Sequence, residues 1–389
     1  MKMKFTNIKD TVEEYWDFAD VCAAIRDSNP NSLKAFKEKM ALYLNVGRDR
    51  LALFPSGRQA LTSILKNIDV KNKTIMVSAF NCPVIKEAIH TAGWNMMAYD
   101  LESEVGYQNW DSFVNTVNNN IGAILITHYF GVPSDFGGLI DFCKKKGVVI
   151  IEDCAHSFGA TINGKQAGTI GDASIFSFNY DKPISLGWGG MALINNQDIA
   201  IRHEESGFEI PDKPYEIRLL KKFMRAMKFR RLLISRHNNY LINLLYGLGF
   251  FPQFNNSKNI SIGNIQAELG LICLDRYDEI MGIRNANAEK IISALNFPTW
   301  PRPDNVEAAW LKQRVRVEDA SVREAICSKL QSMGLRVGNF NWPSILKGDI
   351  NEGAIVASNL SRYWIDVPVH QNLSEKDLDC LISTINSSY

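Results

Sequence analysis

Between Leu51 and Asn196 the chain alternates short apolar runs with stretches whose apolar residues recur every three or four positions. Leu51-Ala52-Leu53-Phe54 is a β-type run that stops at Pro55-Ser56-Gly57. The apolar positions that follow, Ala60, Leu61, Ile64, Leu65 and Ile68, have the spacing of a helix with one buried face. The same reading predicts strands at 74–77, 95–99, 123–126 and 148–151. It also predicts a helix over 83–91 opened by Pro83, and one over 136–146 ended by Gly147. Strands this apolar are buried on both faces, which predicts an α/β fold with a mainly parallel sheet sandwiched by helices. Ligands of such sheets collect beyond the carboxyl ends of the strands. Ser56-Gly57 and Asp153 both follow or close a predicted strand, so the strand ends are where chemistry is expected.

The pattern breaks near Pro211. Residues 217–236 hold eight Lys or Arg and no acid, and 237–254 are rich in Tyr, Leu and Phe. On a helical wheel Arg218, Lys221, Lys222, Arg225 and Lys228 share an arc of about 120°. Ile217, Leu219, Leu220, Phe223, Met224, Ala226 and Met227 fill the opposite half. Two readings stay open for this stretch: an apolar side packed on the protein's own dimer, or a peripheral membrane contact through 217–251. Helical periodicity resumes at Ile262 and runs to Ala294. From Pro298 the pattern is that of a small α/β domain, with a strand at Val315 and Val317 and a helix over 322–333 ended by Gly334. A last helix over 374–385 is N-capped by Ser374. The expected organisation is a large domain over 1–210 with N-terminal helices in 1–50, an insertion over 211–258, a long connecting helix over 259–295, and a smaller C-terminal α/β domain over 296–389.

Composition narrows the function classes. A net charge of +1 gives the whole molecule no bias toward nucleic acid. Seven scattered cysteines have neither disulfide nor metal spacing, so no metal site is expected and a reducing compartment is. The start lacks an apolar signal region, and no run approaches the roughly 18 apolar residues of a membrane span. The expected location is cytoplasmic.

Three segments carry candidate chemistry. Ser56-Gly57-Arg58 turns a strand into a helix, so backbone N–H groups and the positive helix end face one spot, an anion site. Asp153 puts a carboxylate at a strand end. Lys182 follows the aromatic run Phe176-Ser177-Phe178 and precedes Gly187-Trp188-Gly189-Gly190, whose glycines admit a flat cofactor. A phosphate cradle, a carboxylate for a pyridine nitrogen and a lysine for an aldehyde are what pyridoxal phosphate chemistry uses.

The motifs around these residues resemble those of the DegT/StrS-like sugar aminotransferases, pyridoxal-phosphate enzymes of fold type I. They are Ser56-Gly57-Arg58-Gln59-Ala60-Leu61, His128-Tyr129-Phe130-Gly131, 152–159, 176–182 with 187–190, 259–267, and Asp366-Val367-Pro368-Val369-His370. The resemblance implies a seven-stranded, aspartate-aminotransferase-like sheet and pyridoxal 5'-phosphate as cofactor. It further implies Lys182 as Schiff-base lysine, Asp153 on the pyridine nitrogen and His156 on the phenolic oxygen. Ser56, Gly57, Arg58 and Ser177 would lie at the phosphate, Cys82 near the ring, and Asn259 would reach the phosphate of a neighbouring subunit, giving a homodimer with shared sites. The implied reaction is amino transfer from an amino acid, glutamate in the family, to a nucleotide-linked keto-sugar, in polysaccharide or glycoconjugate biosynthesis. The sequence departs from the family at Arg58 (usually Thr), at Cys82 (usually an aromatic), at Ser261 (usually Arg) and at 339–342. Alternatives are a sugar dehydratase, a branch with histidine at the position of Lys182, or another pyridoxal-phosphate reaction on a sugar or lipid-linked substrate, and a non-catalytic regulatory protein on the same fold.

Overall fold

The computed structural model describes residues 16–105, 108, 110–118, 120–199, 207–235, 260–338 and 354–388. Its centre is a sheet built from β1 (Leu51–Phe54), β2 (Thr74–Ser78), β3 (Asn95–Tyr99), β4 (Ala123–Thr127) and β5 (Val149–Asp153). A small hairpin, β6 (Thr161–Ile162) and β7 (Lys165–Gln166), precedes the last two strands of that sheet, β8 (Ala173–Ser177) and β9 (Gly190–Ile194). The order is β1-β9-β8-β5-β4-β2-β3, seven strands in all. Only β9 runs against its neighbours; it pairs antiparallel with both β1 and β8, while the other strands run together.

Alternation along the strands explains the layers. Phe54, Ile75, Val77, Leu125, Ile151 and Ile175 pack on the helices Gly57–Asn67 and Pro83–Thr91. On the other face Met76, Ile124, Ile126 and Ile150 meet the helix Gly137–Lys146, whose end at Gly147 takes the left-handed conformation. Leu51, Leu53, Phe176 and Met191 meet the helix Ser32–Tyr43 and the helix Asn264–Asp275. Both faces are covered, as the unbroken apolar runs require.

The segment after Ile262 is not one long helix. It is two, Asn264–Asp275 and Tyr277–Ala294, with Arg276 between them in non-helical conformation and its guanidinium on Asp20, 2.7 Å away. Beyond it, β10 (Val306–Glu307) adds to the β6–β7 hairpin, and Ala309 and Leu311 donate backbone hydrogen bonds to Gly131 and Phe130. The stretch 306–311 is therefore laced to the segments that follow β4 and β5 of the main sheet. The C-terminal part proper pairs β11 (Gln313–Arg316) with β12 (Trp364–Val367) and covers them with the helices Ala320–Ser332, Ile355–Arg362 and Glu375–Asn386. Ser374 caps the last of these through a hydrogen bond from the Asp377 amide.

The helix Lys213–Ser235 departs from both readings of the basic segment in one respect: its apolar side is used within its own chain. Leu220, Phe223 and Met227 pack with Val21, Ala24, Trp188, Ile265 and Leu269. Arg218, Lys221, Lys222, Arg225 and Lys228 are exposed. No helix among the described residues is long and apolar enough to cross a membrane.

At the junction of β1 and β9 the chain approaches itself closely. A Cβ on Gly190 would land on the Gly57 nitrogen and the Ser56 carbonyl carbon, both backbone atoms that cannot swing aside. Gly190→Ala is expected to destabilise the protein by about 1–3 kcal/mol through overpacking, read as a lower urea midpoint at unchanged slope.

Candidate active site

Five strand ends open onto one cleft of about 500 Å³. Ser56 and Gly57 follow β1, Asn81 and Cys82 follow β2, Thr127 closes β4, Asp153 closes β5 and Ser177 closes β8; the loop carrying Lys182 forms the remaining wall. The structure thus brings Ser56, Gly57, Arg58, Cys82, Asp153, His156, Ser177 and Lys182 to one place. Asn259 and positions 339–342 lie outside the described residues.

Ser56 is extended and caps the helix Gly57–Asn67, its Oγ accepting from the Gln59 amide at 3.3 Å. The first turn of an eleven-residue helix therefore faces the cleft, with the partial positive charge that favours a phosphate. Arg58 projects from the same turn, but its guanidinium is ion-paired with Glu87. Any charge it lends to an anion is shared with that carboxylate. Cys82 caps the helix Pro83–Thr91 without a side-chain hydrogen bond, and burial pushes its thiol up from the ordinary range.

Lys182 Nζ lies 2.9 Å from His156 Nε2 and 3.7 Å from Asp181. Burial holds the His156 imidazole well below its ordinary pKa, and the charges of Lys182 and Lys312 add to that. A neutral ring whose Nε2 accepts from the lysine carries its proton on Nδ1. Behind it the Phe130 ring lies 6.0 Å away, and Lys312 and Arg314 lie over Phe130 at 5.1 and 4.8 Å. Both cations are held by Asp366, at 2.8 and 2.7 Å, in a fully buried group. Desolvation there lowers Lys312 to about 8 despite its carboxylate partner.

Asp153 is buried, and desolvation raises its carboxyl above the usual range although the Ala155 amide (3.0 Å) and Lys182 pull the other way. A carboxylate in this condition is complementary to an aromatic N–H cation, which would restore its charge. Lysine, buried carboxylate and helix-end anion cradle therefore fit the groups of pyridoxal phosphate, and the cleft has room for it.

Beneath Asp153, Glu152 is fully buried and saturated. It accepts from the amides of Gly168, Ile170 and Gly171 at 2.7–2.8 Å and from His128 Nε2 at 3.0 Å. His128 Nδ1 accepts from the Ser134 amide, which fixes the proton on Nε2. Cys154 is close enough to complete a metal-like trio with these two, but the nitrogen and oxygen atoms are already committed to hydrogen bonds.

Sequence reasoning passed over Thr127 and Asn81, whose side chains join at 2.8 Å in the cleft. Their positions at or just past strand ends were the available signal, since the rule that selects Asp153 selects them too.

A cleft of this composition, beyond the strand ends of a parallel sheet, belongs to the lysine-anchored pyridoxal-phosphate enzymes of fold type I. Within that class the chain belongs to the DegT/DnrJ/EryC1/StrS aminotransferase family, which it matches over residues 18–386. It is a pyridoxal-phosphate-dependent aminotransferase. It is 23% identical to the GDP-perosamine synthase of Escherichia coli O157:H7 over 308 residues, 78% of this chain and 75% of that one. In fold it is similar to the aminotransferase TlmJ from Streptoalloteichus hindustanus (TM-score 0.74, 19% identity, 98% of both chains). It is also similar to the PLP form of Spr1654 from Streptococcus pneumoniae (TM-score 0.74, 17% identity, 98% of both chains).

Glu152 offers a test of the frame rather than of the chemistry. Glu152→Gln turns an acceptor-only group into one that points N–H at N–H donors. It is expected to cost about 1–3 kcal/mol or more, measured by urea unfolding, with Glu152→Ala no milder.

Proposed function

We propose that this chain transfers an amino group from an amino acid, glutamate in our reading, to the carbonyl of a nucleotide-linked keto-sugar in polysaccharide or glycoconjugate biosynthesis. The observation that carries the reading is Lys182, a lysine amine seated on a neutral imidazole in the same cleft as a buried carboxylate. The names of the relatives support the sugar: GDP-perosamine synthase in Escherichia coli, and a dTDP-4-dehydro-2,3,6-trideoxy-D-glucose 4-aminotransferase in Saccharopolyspora spinosa that is 25% identical over 170 residues. Lysine at position 182 favours transamination over the dehydratase alternative, whose branch has histidine there. The joint presence of Asp153, Ser177 and Lys182 speaks against a non-catalytic scaffold.

Bound pyridoxal phosphate supplies the electron sink that amino transfer requires. Lys182 would anchor it, and its Nζ would move the proton on and off the donor's Cα. Asp153 would hold the pyridine nitrogen protonated, and His156, a neutral donor through Nδ1 or acceptor through Nε2, would orient the phenolic oxygen. The helix Gly57–Asn67 with Ser56 and Ser177 would bind the phosphate, with Arg58 tempered by Glu87. In this reading two chains form a homodimer, and Asn259 reaches the partner's phosphate. The exposed basic side of the helix Lys213–Ser235, followed in sequence by the uncharged stretch 240–251, is our basis for a peripheral contact with an anionic membrane.

Lys182→Ala is expected to abolish multiple turnover while leaving the protein folded. Asp153→Asn is expected to keep the cofactor and lose at least about a hundredfold in kcat. Keto-sugar nucleotides offered to the pyridoxamine form, with absorbance followed, identify the acceptor; continued turnover by Lys182→Ala would sink the assignment.

Five cations at roughly 1 kcal/mol each predict co-sedimentation with phosphatidylglycerol vesicles at low salt, lost at high salt. Protein that stays in the supernatant at low salt removes the membrane contact from the proposal.

A further inference from the structure

The inserted helix Lys213–Ser235 is joined to the loop of Lys182 by a run of buried polar contacts. Glu216, in its first turn, faces inward at 1% exposure. Its carboxylate accepts from the amides of Ile265 (3.0 Å) and Gln266 (2.7 Å), the open first turn of the helix Asn264–Asp275. It takes the place of a side-chain cap that Gly263 cannot supply, and a Cβ on Gly263 would land on the Glu216 carboxylate. Gln266 is fully buried, and its Nε2 donates to two carbonyls, Leu186 at 2.9 Å and Trp188 at 3.1 Å. Those residues close the loop that begins after Phe178. Leu186 N donates to the Phe178 carbonyl, and Phe178 N donates to the Gly189 carbonyl. Lys182 lies within that loop, and Trp188 and Gly189 line the cleft. A second route is apolar: the Trp188 ring packs on Phe223 of the same inserted helix, 6.4 Å between centroids.

We propose that Glu216 and Gln266 are positioning residues for the Lys182 loop, so that the inserted helix, outside the family's shared motifs, sets the geometry of the cofactor-anchoring lysine. The proposal rests on the reading of Lys182 given above. Physically, two carbonyls of a glycine-rich loop would otherwise have several orientations available. Gln266 holds both, and it is held in turn because Glu216 fixes the amide from which its side chain starts. Neither residue touches the cofactor region directly.

Electrostatics supply a signature. Burial raises the Glu216 carboxyl from 4.5 to about 7, with the two amides and Lys213 opposing. Lys213 is on its own helix, and the Asn264–Asp275 helix presents amides to it. A carboxyl raised on folding contributes stability that is present below 4.5 and lost as pH rises through about 7. In Glu216→Gln that slope between 4.5 and 7 should vanish.

The test is hydrogen exchange on the full-length protein, with and without pyridoxal phosphate, alongside cofactor titration. Glu216→Ala and Gln266→Leu are each expected to speed exchange at 186–189 about tenfold relative to β4 and β5, and to weaken cofactor binding about tenfold, the size of one lost buried hydrogen bond. Glu216→Gln, which keeps one of the two acceptor oxygens and turns an N–H toward the other amide, should fall between Glu216→Ala and the unaltered protein in both. Exchange at 186–189 that is unchanged, or that rises only in step with β4 and β5, overturns the relay. Exchange on the cofactor-free chain keeps this test independent of the role of Lys182. If pyridoxal phosphate attaches to another lysine, the site reading fails while the relay still stands or falls on exchange alone.

Discussion

A carboxylate with no access to water must have its lone pairs met, and at Glu152 this requirement organises the active-site end of the sheet. Three amides of the 168–171 turn and one imidazole converge on it. That convergence ties the turn before β8 to the end of β5 and the start of the loop after β4. Because successive residues of a strand point to opposite faces, fixing Glu152 on one side leaves Asp153 on the other, toward the cleft. The buried charge is weak evidence for net stability, but it is strong specification. Few other arrangements of these segments would satisfy four donors at once.

The same economy of charge marks the cleft. Lys182, Lys312 and Arg314 bring three cations near His156, with Asp153, Asp181 and Asp366 as the facing carboxylates. Burial, aided by the charges of Lys182 and Lys312, keeps the imidazole neutral, and burial raises the Asp153 carboxyl. Both conditions suit a site that must hand protons over without keeping them. Phe130 separates the Asp366 group from the imidazole, so that group acts through an aromatic ring and at a distance.

Much of this was legible in the sequence because it is local. Runs of apolar residues ending at Pro55 or Gly147 locate strands and helix ends, since turn chemistry and periodicity are properties of neighbours in the chain. The order of the motifs pointed to the family and to Lys182, Asp153 and His156 as cleft residues. What escaped depends on partners far away in sequence. The reversal of β9 follows from its meeting β1, more than 130 positions earlier. The pairing of Arg58 with Glu87 needs two helices side by side, and that of Arg276 with Asp20 joins residues 256 positions apart. Periodicity could show that the inserted helix has an apolar side; it could not show that Val21, Trp188 and Leu269 were waiting for it.

That helix has an evolutionary consequence. Its inner side is committed to the core and its outer cations make no ion pair with described residues, so the outer charges can change sign, number or spacing at little cost to folding. Drift and selection can therefore rewrite what the surface meets while the catalyst beneath stays fixed. One helix thus carries two kinds of constraint, an inner side fixed by packing and an outer side left free to vary.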